Sequence, residues 1–171
     1  MKERDIPVTQ TISLKSEQVE TPGLLKIKLV MPKVEKDHGQ LAVVVMMAKT
    51  PGDQQVDHQW SCGLECYLAS SSQVVVAMVD VRGSAGQGTR WQQSVRGRLG
   101  VMENQDMEQV VRFLTGLKYI DKSKIGVFGQ GYGGFLALNA MLSNQPLLSS
   151  IKCGITVAPD TNWMFTSAFM T

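Results

Sequence analysis

The 171-residue chain has no run of the roughly 18 apolar residues that a membrane span requires. Its first twenty residues, MKERDIPVTQTISLKSEQVE, lack the apolar core of a signal peptide, so neither an anchor nor a leader is expected in these residues. Charge of one sign is missing too. The 17 basic and 15 acidic residues leave a net charge of +2, and Lys and Arg are scattered from Lys2 to Lys152 without forming a stripe. Neither nucleic acid nor an anionic membrane is implied. Cysteine is scarce: Cys62, Cys66 and Cys153 cannot all pair with one another, which argues against a disulfide-built fold and leaves the redox compartment undecided. No asparagine begins an N-x-S/T site, and the only histidines are His38 and His58.

What remains, 43% hydrophobic and 19% charged residues, is the balance of one globular domain. Its pattern changes along the chain. TISL (Thr11 to Leu14) and LLKIKLVM (Leu24 to Met31) alternate, with lysines between Leu25, Ile27 and Leu29; period two predicts antiparallel strands with one wet face. After the turn-rich PKVEKDHGQ come continuous apolar runs: Leu41 to Ala48, Val74 to Val79, Ile125 to Phe128 and Cys153 to Ala158. Such runs predict strands of a parallel sheet, buried on both faces.

Helical patterns lie between them. Asp57 is positioned to cap a helix with Trp60, Leu64, Tyr67 and Leu68 on one side, which puts His58 in its first turn. Met107, Val110, Val111, Leu114 and Leu117 form a cleaner stripe, with Glu103, Asp106 and Glu108 early and Arg112 and Lys118 late, as the helix dipole favours. A third helix is expected from Tyr132 to Ser143, ending before Pro146. Strands followed by alternating strand and helix predict an open α/β sheet with helices on both faces and antiparallel N-terminal strands.

The densest motif is KIGVFGQGYGGF, Lys124 to Phe135. Gly129, Gly131 and Gly134 fit the dinucleotide pattern G-x-G-x-x-G, with Asp160 ending the next strand. In that fold, however, the acid lies about 20 residues past the loop and the loop follows the first strand. The same stretch fits the nucleophile elbow G-x-S-x-G with Gly131 in place of serine. Gly129 and Gly133 supply the small residues that a tight strand-to-helix turn needs, and Gly134 allows close packing of the helix. The residue after the nucleophile, here Tyr132, would offer its N–H to an oxyanion. Gly131 has nothing to attack with. In α/β-hydrolases the triad runs Ser, Asp, His, and no histidine follows Gly134.

Four segments in order resemble the dipeptidyl peptidase IV branch of the prolyl oligopeptidase (S9) family: GQGYGGF at the elbow, DVRGSAGQG (Asp80 to Gly88), GRLG (Gly97 to Gly100) and IKCGITVAP (Ile151 to Pro159). The elbow, TPGDQ (Thr50 to Gln54) and Ser167 to Phe169 are most similar to the branch's non-catalytic members. Met47 stands where active members place an oxyanion tyrosine, and it donates nothing. The resemblance implies a partial α/β-hydrolase domain at 23–171, preceded by a segment, 1–22, that follows a β-propeller. It also implies no enzymatic activity, with the elbow glycines and Tyr132 kept as geometry; from the residues themselves, no cofactor or metal is expected. As partners it implies a voltage-gated potassium channel and a homodimer mate. The location would be the extracellular side of the plasma membrane on a single-pass protein. The alternative is a serine-type dipeptidyl peptidase or other hydrolase whose Asp and His lie outside this sequence.

By the same resemblance, Cys153 corresponds to a disulfide cysteine whose mate would lie beyond Thr171, so a free thiol is expected here. Cys62 and Cys66 have C-x3-C spacing, too little for a metal site, and are expected as small buried residues. Asp80 and Arg82 are expected to form a salt bridge or turn cap rather than to orient substrate. Asp160 is read as a loop residue and His38 as a solvated turn.

Overall fold

The computed structural model describes residues 6–17, 22–33 and 39–163. Among these, six strands form one sheet in the order β1-β2-β4-β3-β5-β6. They are β1 (Val8–Lys15), β2 (Leu24–Met31), β3 (Leu41–Met47), β4 (Val75–Asp80), β5 (Ile120–Gln130) and β6 (Ile151–Val157). The pairs β1–β2 and β2–β4 are antiparallel, whereas β4–β3, β3–β5 and β5–β6 are parallel. This is the α/β arrangement the pattern predicts. β1 belongs to the same sheet, paired with β2 from Val8 opposite Met31 to Lys15 opposite Leu24.

Alternation decides which side chain meets which helix. Leu25, Ile27 and Leu29 of β2, Val43 and Val45 of β3, Val75, Ala77 and Val79 of β4, and Ile125 and Val127 of β5 share the larger core. Helix α3 (Val101–Gly116) closes it with Met107, Val110, Val111 and Leu114, and α4 (Tyr132–Leu142) with Leu136, Ala137 and Ala140. The intervening residues Val30, Met46 and Val76 pack on the other face with Ala69 of α1 (Leu64–Ser72). Helices therefore cover both faces. A four-residue helix, α2 (Thr89–Gln92), seats Trp91 in the larger core.

Several local expectations change. α1 begins at Leu64 after Gly63, not at Asp57, whose Oδ1 accepts from the Gln59 N–H in a turn. Of its expected apolar stripe only Leu68 packs against the core; Trp60, Leu64 and Tyr67 are exposed, at 84%, 48% and 61%, because Cys66 and Ala69 form the buried side. His58 consequently lies in an exposed loop. The wet face of β2 is not wet at Lys28, which is only 7% exposed; its ammonium donates to the Gln59 carbonyl at 3.1 Å beside Asp57 at 3.7 Å. Among the described strands β6 pairs only with β5, and Ile155 is 61% exposed. Cys62 is exposed and only Cys66 is buried. His38 and the Ser167 to Phe169 motif lie outside the described residues.

No helix among the described residues is long and apolar enough to cross a membrane. Nor do the described residues hold a group of three or more His, Cys, Asp or Glu able to bind a metal.

Candidate functional site: the elbow after β5

The turn from β5 into α4 pivots on Gly131, whose φ of +56° and ψ of −122° lie where side chains are strained. Its N–H continues the sheet ladder to the Val157 carbonyl at 2.9 Å, and its carbonyl accepts the first helical bond, from Phe135 N–H, at 3.1 Å. Small residues are required on both sides. A Cβ on Gly129 would sit 2.0 Å from the Gly133 carbonyl oxygen, and one on Gly133 would sit 2.5 Å from that of Ala48. A Cβ on Gly134 would meet Pro159 of the loop after β6 at 3.1 Å. The geometry is that of a nucleophile elbow, with glycine at the apex.

The backbone N–H beside it, which the elbow pattern would assign to an oxyanion, is already engaged. The Tyr132 N–H donates to the Lys49 carbonyl at 3.1 Å, and a Cβ on Gly131 would lie 3.1 Å from the same oxygen. A local turn delivers that carbonyl. In Thr50-Pro51-Gly52-Asp53 proline fixes the second position and Gly52 takes φ +81°, so that Asp53 N–H closes on the Thr50 carbonyl at 3.3 Å. The Asp53 carboxylate accepts the Thr50 hydroxyl as well. Met47, at the end of β3, is a core residue 5% exposed, with its Cβ 3.1 Å from where a Gly133 Cβ would lie. The cavity bordering the elbow, lined by Met47, Ala48, Arg82 and Tyr132 among others, is only about 20 Å³. That is space for about one water.

These bonds also answer the nucleotide reading. A phosphate cradle needs free amides at the helix start, and the Gly131 and Tyr132 N–H groups are engaged by Val157 and Lys49. Asp160 donates its N–H to the Gly131 carbonyl at 3.4 Å, and its Oδ2 would stand 3.9 Å from a Gly131 Cβ. It is a loop residue brought against the elbow apex.

Buried charge braces the site from behind. The Glu103 carboxylate, fully buried, accepts the Gly100 N–H at 2.9 Å and also the Tyr132 hydroxyl. It links the start of α3 to the start of α4. Burial pushes the Glu103 carboxyl up against the pull of these bonds, and burial together with Glu103 pushes the Tyr132 phenol up. Tyr132 also packs against Phe135 and Trp163, each ring centroid 6.1 Å away. Asp80, at the end of β4, accepts the Gln55 and Val56 N–H groups at 2.8 and 3.0 Å and so anchors the segment leading from Lys49. Burial pushes its carboxyl up, and the two amides oppose that.

Arg82 pairs with Asp106 through its backbone N–H (2.9 Å), Nε (3.0 Å) and guanidinium NH2 (2.9 Å), both side chains 1% exposed. The cap and the salt bridge expected of Asp80 and Arg82 are both present. The sequence reading did not reach Glu103 and Asp106 as bracing groups, having placed them only by the helix dipole. The Gly100-x-x-Glu103 spacing of a carboxylate bonding back to the helix cap was the available signal. The Lys49 carbonyl left no signal, because every residue has one.

A model of the prolyl oligopeptidase family (Peptidase_S9) matches residues 60–171. Inactive dipeptidyl peptidase 10 of Mus musculus is 33% identical over 146 residues, covering 85% of this chain and 18% of that protein. Venom dipeptidyl peptidase 4 of Vespa velutina is 28% identical, covering 98% of this chain and 21% of its own length. Porphyromonas gingivalis dipeptidyl peptidase 4 superposes with a TM-score of 0.84 at 28% identity, over 96% of this chain and 22% of its own. The chain thus spans about a fifth of the length of these relatives. On the matched domain, the shared α/β-hydrolase-type sheet and the elbow after β5, the chain belongs to the prolyl oligopeptidase family.

Proposed function

We propose that the protein is a catalytically silent dipeptidyl-peptidase-like member of the family that works by binding. The observation that carries this reading is glycine at the elbow apex, where the reaction needs a nucleophile. The Lys49 carbonyl on the Tyr132 N–H supports it independently, since an oxyanion would compete for that donor. Met47 cannot replace the missing second donor. A relative whose name denotes an inactive enzyme matches 85% of the chain at 33% identity.

By the family resemblance, the partner is a voltage-gated potassium channel at the plasma membrane, engaged by a homodimer. The test is made on the whole gene product in two arms. Turnover of a chromogenic dipeptide should stay at background, and the protein should co-purify with channel subunits from co-expressing cells. Turnover above background would overturn the silent reading. Silence without channel capture would overturn the partner alone. Relatives named as peptidases match at comparable identity, such as the venom enzyme. They favour the alternative of a hydrolase supplied with Asp and His from elsewhere, and the first arm decides between the two.

A further inference from the structure

A groove of about 730 Å³ lies on the α1 side of the sheet, away from the elbow. Its wall holds Lys28, Trp60, Cys62 and Cys66. Cys62 is exposed, immediately ahead of the α1 cap Gly63, and Cys66 is buried in the first turn. Cys66 Sγ donates at 3.7 Å to the carbonyl of Ser61, the residue joined directly to Cys62, and both cysteines line the same groove, which sets their side chains close together. Gly63 takes φ −107° and ψ −136°, a non-helical turn between Cys62 and the helix. Cys62 is thus exposed while Cys66, one turn on, is buried.

We propose that Cys62 and Cys66 form a reversible intrachain disulfide in the wall of this groove, made by exchange with a small-molecule disulfide such as oxidised glutathione. The chemistry proceeds in two balanced steps. The Cys62 thiolate attacks one sulfur of oxidised glutathione, whose S–S bond breaks and releases one glutathione thiolate. Cys66, deprotonated, then attacks the Cys62 sulfur, forming the protein disulfide and expelling the second glutathione thiolate. The protons lost by the two cysteines are taken up by the two glutathiones, and two electrons pass from the protein to the oxidant.

Access fixes the order. Burial pushes the Cys66 thiol up to about 12, with further contributions from Cys62, so the exposed partner reacts first and closure is the slower step. Closure ties the 57–62 loop, with Trp60 at the groove, to α1. The third thiol stays apart: Cys153 is on β6, with β4, β3 and β5 between it and β2.

The experiment uses the protein with the exposed Cys153 changed to serine, equilibrated in buffers of oxidised and reduced glutathione. It is then quenched with acid, alkylated with iodoacetamide and read by intact mass and peptide mapping. The expected result is loss of two hydrogens within the peptide joining Cys62 to Cys66, loss of iodoacetamide labelling at both, and recovery of both in reduced glutathione. Cys66→Ser should stop the reaction with glutathione held on Cys62. Three outcomes with both thiols present would overturn the proposal, whether or not Cys66→Ser folds: a lasting glutathione adduct on Cys62, a dimer bridged through Cys62, or no change at either cysteine.

Discussion

The backbone amide of Tyr132 donates to the carbonyl of Lys49, so the segment after β3 engages the amide that the elbow pattern would assign to an oxyanion. Restoring a nucleophile alone therefore leaves the site blocked. Gly131→Ser should fold, at a cost of about 1–3 kcal/mol for a side chain at φ +56°. It should not react with a fluorophosphonate probe. Labelling of that variant above the wild-type background would show that the Lys49 carbonyl gives way.

Gly129→Ala should be far worse than Gly131→Ala. At Gly129 the new Cβ meets backbone at 2.0 Å, which no rotamer change relieves, whereas at Gly131 the nearest atom is 3.1 Å away. Urea unfolding or soluble yield should rank them in that order, with Gly129→Ala losing upwards of about 3 kcal/mol or failing to fold.

Glu103 makes stability depend on pH. Its folded-state pKa is raised above the unfolded value of 4.5, chiefly by burial, so its contribution is fully present below pH 4.5 and is lost as pH rises through the folded-state pKa. Glu103→Gln keeps an acceptor for Gly100 and can donate to Tyr132. It should flatten this part of the pH profile at little cost at neutral pH. Glu103→Ala strands two donors, at about 1–3 kcal/mol each. Chemical denaturation across pH 4 to 8 is the measurement, and an unchanged slope in Glu103→Gln would refute the assignment.

Arg82→Ala leaves the Asp106 carboxylate buried and unpaired, a loss of about 3–5 kcal/mol. Replacing both, with Arg82→Met and Asp106→Leu, should recover most of it, because no charge is then left in the core. A double variant as unstable as the single one would mean that the hydrogen bonds from Arg82 to the Met102 carbonyl and Gln105 matter more than the charge.

Ile155→Lys should reduce self-association. Ile155 is exposed on β6, which pairs only with β5 among the described strands, and a charged side chain opposes edge-to-edge pairing. Light scattering against concentration is the check; equal scattering from both proteins would place association elsewhere.

Much of this architecture is legible in the residues. Continuous apolar runs mark β3, β4 and β5 because a strand covered on both faces has no polar positions to alternate with. The elbow is legible because no other residue tolerates the approach of Gly133 to Gly129. α1 is not, since its apolar residues Leu64 and Tyr67 face outward while small Cys66 and Ala69 fill the tight space against the sheet. Lys28 reads as solvated until the 57–62 loop folds over it. The sequence by itself determined the α/β class, the family motifs and the lack of a nucleophile at the elbow, since these depend on side-chain type and local spacing. Only the tertiary structure decided that the Lys49 carbonyl occupies the Tyr132 amide, that Glu103 joins two helices, and that one thiol of Cys62 and Cys66 faces solvent. Those contacts depend on backbone atoms and on chain segments brought together from far apart, which periodicity does not encode.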